Sequence, residues 1–297
     1  MAVRAETFAE GVPCWADAML SDVEAGKRFY GGLFGWTFGE PESERDGYTM
    51  AYLDGRHTAG LFAKPDGRMP TVWNLYLATE DAGAAVARIR EAGGNVLMEP
   101  ADVEGGAASG WGAAGGRVVA VAADPSGAVF GLLQAGARGG FGVREEHGAY
   151  VWSEVYTRDK AAVDRFYADV FGYGMRQLGG PVGAGADEGG GAGEGGSEEG
   201  FDFMMWAPAG EPVDEEHAIG GRCLIAGTYP AEMPAHFLTY FAVDDCDTAA
   251  HTTVRLGGRV LLEPEDTPYG RYAVLVDDQG ASFAVLQAPR AAAAGVT

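Results

Sequence analysis

Basic residues are scarce in this chain. It carries 21 Lys and Arg against 43 Asp and Glu, a formal net charge of −22. Nucleic acids and anionic membranes both select basic patches, so neither is an expected partner. Cationic small molecules suit such a surface, and plain solubility is the simpler account. Cysteine is scarce too: Cys14, Cys223 and Cys246 form an odd set without CxxC spacing. They read as small buried side chains in a reducing compartment, not as a disulfide framework. No apolar run approaches the ~18 residues that span a bilayer. The opening MAVRAETFAEG lacks a basic start and an apolar stretch, so no signal peptide is expected there and the location is expected to be cytoplasmic. Phosphate loops, GxSxG elbows and Cys–His nucleophile arrangements are missing as well. GxGxxG-like runs within 183–196 lie in low-complexity sequence, without a strand before or a helix after.

What is present is a repeat. VPCWADAMLSDVEAGKRFYGGLFGW, near the N-terminus, returns as AYVWSEVYTRDKAAVDRFYADVFGY. Trp15 answers Trp152, Asp22 answers Asp159, Phe29-Tyr30 answers Phe166-Tyr167, and Gly35 answers Gly172. Further on, LATEDAGAAVARIREAGGNVLMEP is matched without a gap by FAVDDCDTAAHTTVRLGGRVLLEP. Self-similarity at this scale decides architecture before any single residue does. A chain of 297 residues with 47 % apolar side chains suits two globular domains of roughly 140 residues each.

Each half divides again, giving modules at 11–65, 70–135, 148–227 and 233–290. The domains are expected at 1–137 and 148–297, with a linker over 138–147. Every module opens on an aromatic-rich or alternating run, CWADAML, VWNLYLAT, YVWSEVYT or HFLTYFAV, as strands do. Asp22, Asp81, Asp159 and Asp245 follow as helix caps. Helical spacing of apolar residues comes next, and Gly35, Gly93, Gly172 and Gly257 stand where the helices should stop. DPSG and DDQG mark turns between later strands. The pattern predicts an α+β chain of four strand–helix–strand–strand–strand units. The run 179–200, mostly glycine with five acids and no base, is expected as a flexible loop. A Gly/Ala insertion over 104–116 carries Trp111.

The runs WADAMLSD, KRFYGGLFGWTF, YLATEDAGAAVARIREAGGNVLMEPADV and GRVVAVAADPSGAVFGLLQA resemble the glyoxalase, bleomycin-resistance and extradiol-dioxygenase superfamily, the vicinal oxygen chelate fold. The resemblance is to its tandem glyoxalase-like or hydroxylase subgroup, common in antibiotic-producing bacteria. It implies paired βαβββ modules, each pair forming a curved eight-stranded sheet around a cup. It also implies where metal-dependent members place their ligands. One position is a His, Gln or Glu on a module's first strand, seven residues before the capping Asp. The other is a Glu on the last strand. Those first-strand positions hold Trp15, Asn74, Trp152 and Leu238, and the last-strand ones hold Gly131 and Ala284. No metal and no cofactor are therefore expected.

Without a metal the cup remains. Trp15, Trp73, Asn74, Tyr76, Trp152, Tyr156, Trp206, Phe237 and Tyr240 are the candidate ligand-binding residues. Aromatic walls would hold a planar ligand by stacking or a cation by its attraction to the ring faces. The alternative for each ring is packing between sheet and helix. Asp17 and Glu154, two residues past the tryptophans, share their strand face and are the candidate acid–base groups. Each could instead pair with an arginine or end a strand at the solvent. His57 in HTAG and His217 in HAIG look like repeat equivalents and are further catalytic candidates, with a solvent-facing turn as the other reading. His236 lies two residues before Leu238. The expected partner is a small organic molecule, aromatic in character. Two readings of the activity stand: a binding or resistance protein for an aromatic natural product, and a cofactor-free acid–base enzyme of secondary metabolism. A metal-dependent lyase or dioxygenase is a third. Paired modules in one chain make dimerisation unnecessary for a cup, so a monomer or a homodimer is expected.

Overall fold

The computed structural model describes residues 8–40, 48–102, 117–134, 139–179, 202–227 and 229–289. The Gly/Ala insertion with Trp111, and the acidic glycine run beyond Gly179, lie outside the described residues.

The first unit is β1 (Pro13–Leu20), α1 (Val23–Phe34), β2 (Thr37–Phe38), β3 (Thr49–Leu53) and β4 (Arg56–Ala63). The second is β5 (Val72–Ala78), α2 (Ala82–Glu91), β6 (Asn95–Asp102), β7 (Val118–Ala123) and β8 (Val129–Gln134). The third is β9 (Tyr150–Thr157), α3 (Lys160–Phe171), β10 (Gly174–Gly179), β11 (Asp202–Ala207) and β12 (Gly220–Leu224). The fourth is β13 (His236–Ala242), α4 (Cys246–Arg255), β14 (Arg259–Thr267), β15 (Gly270–Val276) and β16 (Ser282–Gln287). All four helices start as their aspartates require. Asp22, Asp81, Asp159 and Asp245 accept from the backbone N–H three residues on, which satisfies a donor the helix itself leaves open. Gly35 and Gly172 end α1 and α3 in the left-handed conformation, at φ 73° and 71°.

The strands form two mixed sheets of the same order, β2-β3-β4-β1-β5-β8-β7-β6 and β10-β11-β12-β9-β13-β16-β15-β14. The first strands of paired units lie antiparallel at the centre, β1 on β5 and β9 on β13. Each is flanked by the last strand of its own unit, running parallel. The chain is thus α+β, two tandem vicinal-oxygen-chelate sheets. Every residue of β1 is buried, so this strand is covered on both faces.

One face of each sheet packs on helices, and through that face the two halves meet. Helix α1 packs on α4, and α2 on α3. Tyr30 on α1 donates to Asp277 Oδ2 across the junction at 2.8 Å, and Tyr167 on α3 donates to Asp124 Oδ2 at 3.4 Å. Both aspartates also hold their own DDQG and DPSG turns through Oδ1. Rings fill the space between: Tyr30, Phe34, Trp36 and Trp73 meet Phe241 and Phe283 from the other half. Among the described residues, no helix is long and apolar enough to cross a membrane.

Candidate functional site

The other face of each sheet forms the cup. In the first half, the register of β1 on β5 sets Asp17 opposite Asn74 and Trp15 opposite Tyr76. Tyr48, just before β3, leans over them. Trp15 Nε1 donates to the Tyr48 hydroxyl at 2.9 Å, which donates to Asp17 Oδ2 at 3.2 Å. Asn74 Nδ2 donates to Asp17 Oδ1 at 2.9 Å. Asp17 is 1 % exposed and Trp15 fully buried. Burial pushes the Asp17 carboxyl up to about 7, against the opposing pull of hydrogen bonds from Asn74, Tyr76 and Tyr48. Two glycines make room for the rings. A Cβ on Gly60, opposite Asp17, would sit 2.0 Å from the Tyr48 hydroxyl oxygen. One on Gly131 would sit 2.1 Å from Tyr76 Cδ1. The first cup is filled by its own side chains.

In the second half, β9 places Trp152, Glu154 and Tyr156 opposite Tyr240, Leu238 and His236 of β13. Trp152 Nε1 donates to Glu154 Oε1 at 3.1 Å and the Tyr240 hydroxyl to Oε2 at 2.8 Å. Burial raises the Glu154 carboxyl, and hydrogen bonds from Tyr240, Trp152 and Tyr156 only moderate it. The His236 ring stacks on Tyr156, centroids 5.2 Å apart and planes 12° from parallel. Register makes Phe203 the counterpart of Tyr48: it packs over Gly221, opposite Glu154, and has no hydroxyl to offer. Trp152 and Glu154 are half-buried where Trp15 and Asp17 are sealed. The second cup is the one whose tryptophan and carboxylate residues keep partial exposure.

The remaining expected site residues lie elsewhere. Trp73, Phe237 and Trp206 were expected on the cup walls, but side chains alternate along a strand and these take the opposite parity. Trp73 donates from Nε1 to the Tyr30 hydroxyl at 3.0 Å, in the junction between the halves. Phe237 meets Phe130 and Tyr167 there, and Trp206 packs on Tyr167 and Tyr173. His57 and His217 are not repeat equivalents. Gly60 pairs with Asp17 and Gly221 with Glu154, so HTAG and HAIG align one residue out of step. His57 sits on β4 against the Tyr52 ring, 5.0 Å between centroids. His217 lies in the turn before β12, where Asp214 Oδ1 meets its Nδ1 at 2.7 Å and raises its pKa. Tyr48, His236 and the cup glycines matter more than the sequence suggested. The alternation in YTMAYLD was the available signal for Tyr48.

Residues 16–133 match the family model of a glyoxalase-like domain, and residues 149–284 that of the glyoxalase/bleomycin resistance protein/dioxygenase superfamily. The chain belongs to this superfamily. It is 36 % identical to the anthracycline biosynthesis protein DauV of Streptomyces sp. (strain C5), over 94 % of each chain. It is 34 % identical to the anthracycline biosynthesis protein DnrV of Streptomyces peucetius, again over 94 % of each. The Mn(II)-bound glyoxalase from Novosphingobium aromaticivorans shares the fold, with a TM-score of 0.60 at 15 % identity, covering 94 % of this chain and 83 % of that one.

The superfamily's metal positions hold no suitable donor set here. The first-strand positions are Trp15, Asn74, Trp152 and Leu238, and the Asn74 amide is engaged by Asp17. On the last strands stand Gly60, Gly131, Gly221 and Ala284, and tyrosine or phenylalanine rings fill the space beside the glycines. Among the described residues, no three His, Cys, Asp or Glu converge. Indoles, glycines and an aliphatic side chain do not fit a first-row divalent ion.

Proposed function

We propose that the chain binds a small aromatic molecule in its C-terminal cup, without a resident metal, and serves the biosynthesis of an aromatic natural product or resistance to one. The observation that carries this is the contrast between the cups. The first is sealed around Asp17, whereas the second keeps Glu154 half-open between Trp152, Tyr156 and Tyr240. Pockets of this make, largely apolar with a few convergent polar groups, suit small organic ligands. The two Streptomyces relatives named for anthracycline biosynthesis favour a polycyclic aromatic compound. Titration of the protein's fluorescence with a hydroxyanthraquinone tests it. One equivalent should saturate the signal, and Trp152→Ala should weaken binding by about tenfold, the loss of one ring contact. Two equivalents, or a tightly held metal needed for binding, would overturn the reading.

A second reading, acid–base catalysis, is favoured by the Glu154 carboxyl itself. It is raised by burial and joined to the Tyr240 phenol, so it is placed to exchange a proton with a bound phenol or carbon acid. Mass spectrometry of aromatic candidates after incubation separates the two. A product whose formation drops by about a hundredfold or more in Glu154→Gln establishes an enzyme. Unchanged ligand in a stoichiometric complex establishes a binding protein.

A further inference from the structure

The carboxylates set between the sheets and their helices are compensated. Asp164 and Asp202 hold the fully buried guanidinium of Arg222. Asp124 and Asp277 accept backbone N–H groups in their turns. Asp17 and Glu154, in the cups, meet only neutral donors: no ion pair reaches either among the described residues. Asp17 is sealed, and Glu154 is half-buried.

The surroundings of Glu154 hold no cation of their own. Across β12 lie Gly221 and Cys223, whose thiol burial pushes up to about 12 and keeps protonated. On β13 lie Leu238, Tyr240 and His236. Burial lowers the His236 pKa and so favours its neutral form, and its Nδ1 is 2.9 Å from the Pro234 carbonyl oxygen. Tyr156 on β9, Tyr229 in the loop after β12 and Tyr272 on β15 also sense Glu154, and burial raises all three phenols, so they are uncharged too. Arg222 faces the helix side of the sheet and is already saturated. Arg176 stands on β10, beyond β11 and β12, with its Nη2 at Met205 Sδ.

A carboxylate held among ring faces, with no counter-charge, is built to receive one. Ring pairs stand beside it: Tyr156 with His236, and Tyr240 with Tyr272 at 6.4 Å. We infer that the occupant of the C-terminal cup is a cationic amine, its nitrogen placed at Glu154 among these rings. The inference rests on that cup being an aromatic-ligand site, and it adds what the ligand must carry. It also gives the net charge of −22 a role, since a negative field draws a cation toward the cup.

The test uses two otherwise identical probes, an anthraquinone bearing an aminomethyl group and its hydroxymethyl counterpart, titrated calorimetrically at pH 7.5. The amine should bind roughly tenfold to a hundredfold tighter, the worth of one charge-assisted contact in a sheltered site. The preference should collapse to within about twofold in Glu154→Gln, while surface attraction of amines would persist in that variant and fade with salt. Equal binding of the two probes overturns the inference and leaves the aromatic site standing, as does a preference that survives in Glu154→Gln. Binding of neither probe overturns the aromatic site as well. The comparison on the unaltered protein stands whether or not the variant folds.

Discussion

Asp17→Asn isolates the electrostatic state of the sealed cup. Asp17 ionises at 3.8 in an unfolded chain and at about 7 in the folded one. Because the folded pKa is raised, the folded protein holds this proton between pH 4 and 7 while the unfolded chain releases it. Stability from this group is therefore fully present below about pH 4 and is lost as pH rises through 7. A gap of about 3 pH units at ~1.36 kcal/mol each amounts to about 4 kcal/mol. Asparagine does not titrate, so its variant lacks this dependence. The observable is the stability of wild type minus that of Asp17→Asn, from urea unfolding followed by far-ultraviolet circular dichroism at pH 4 to 8. Subtraction removes every other titrating group. The difference should fall by about 4 kcal/mol across the series, most of it between pH 4 and 7. A flat difference, or one that grows with pH, would refute the account, because it would mean that Asp17 ionises in the folded state as easily as in water.

Three further outcomes follow from the packing. Tyr30→Phe removes a hydroxyl that donates to Asp277 and accepts from Trp73 Nε1, and should cost about 1–3 kcal/mol; Tyr167→Phe, whose bond to Asp124 is longer, should cost less in the same unfolding assay. Arg222→Met strands Asp164 and leaves Asp202 with Lys160 as its remaining cation, and should destabilise by about 3 kcal/mol. Burial opposes ionisation of Asp202, but Lys160, Arg222 and Gln177 outweigh it and hold its pKa at about 2, so this stabilisation is present above pH 4 and disappears as pH falls through 2, an acid limb that should be smaller in the variant, where Lys160 and Gln177 remain. Gly131→Ala drives a Cβ into the Tyr76 ring and should cost about 1–3 kcal/mol, a penalty that shrinks in a Tyr76→Ala background if the ring is its cause.

The four-unit fold was legible because its signals are local and repeated. Each capping aspartate and each aromatic first strand lies within one unit, and the internal alignment doubles the information at every position. The cup carboxylates were legible for the same reason: Asp17 and Glu154 share parity with Trp15 and Trp152, and the structure brings these pairs together by hydrogen bonds. Failure came where a residue's face depended on a partner in the other half. Trp73 and Phe237 carry the same aromatic signal as Tyr76 and Tyr240, and only the opposite parity of their strand positions sends them to the junction. The histidines failed for another reason. A single-residue offset between β4 and β12 is invisible in HTAG and HAIG, and a shift of one inverts the face of a strand residue.

The junction also explains how two cups in one chain can differ so much. The rings that join the halves lie on the helix-side faces and contribute hydrophobic burial of about 1.5–3 kcal/mol per large side chain. The junction is thus built on one face of each sheet, and the other face has freedom to differ between the halves. In the first cup that freedom has been taken up by inward packing: Tyr48 and Tyr76 lie on glycines and close around Asp17. In the second, Phe203 replaces Tyr48 and withholds that hydroxyl, so Glu154 takes its bonds from Trp152 and Tyr240 instead and stays half-buried. Phe203→Tyr would therefore offer Glu154 the hydroxyl that Asp17 already has. If internal satisfaction is what closes a cup, this one change should weaken ligand binding in the second half without lowering the unfolding midpoint. Unchanged binding would show that the two cups differ for a reason other than this hydroxyl.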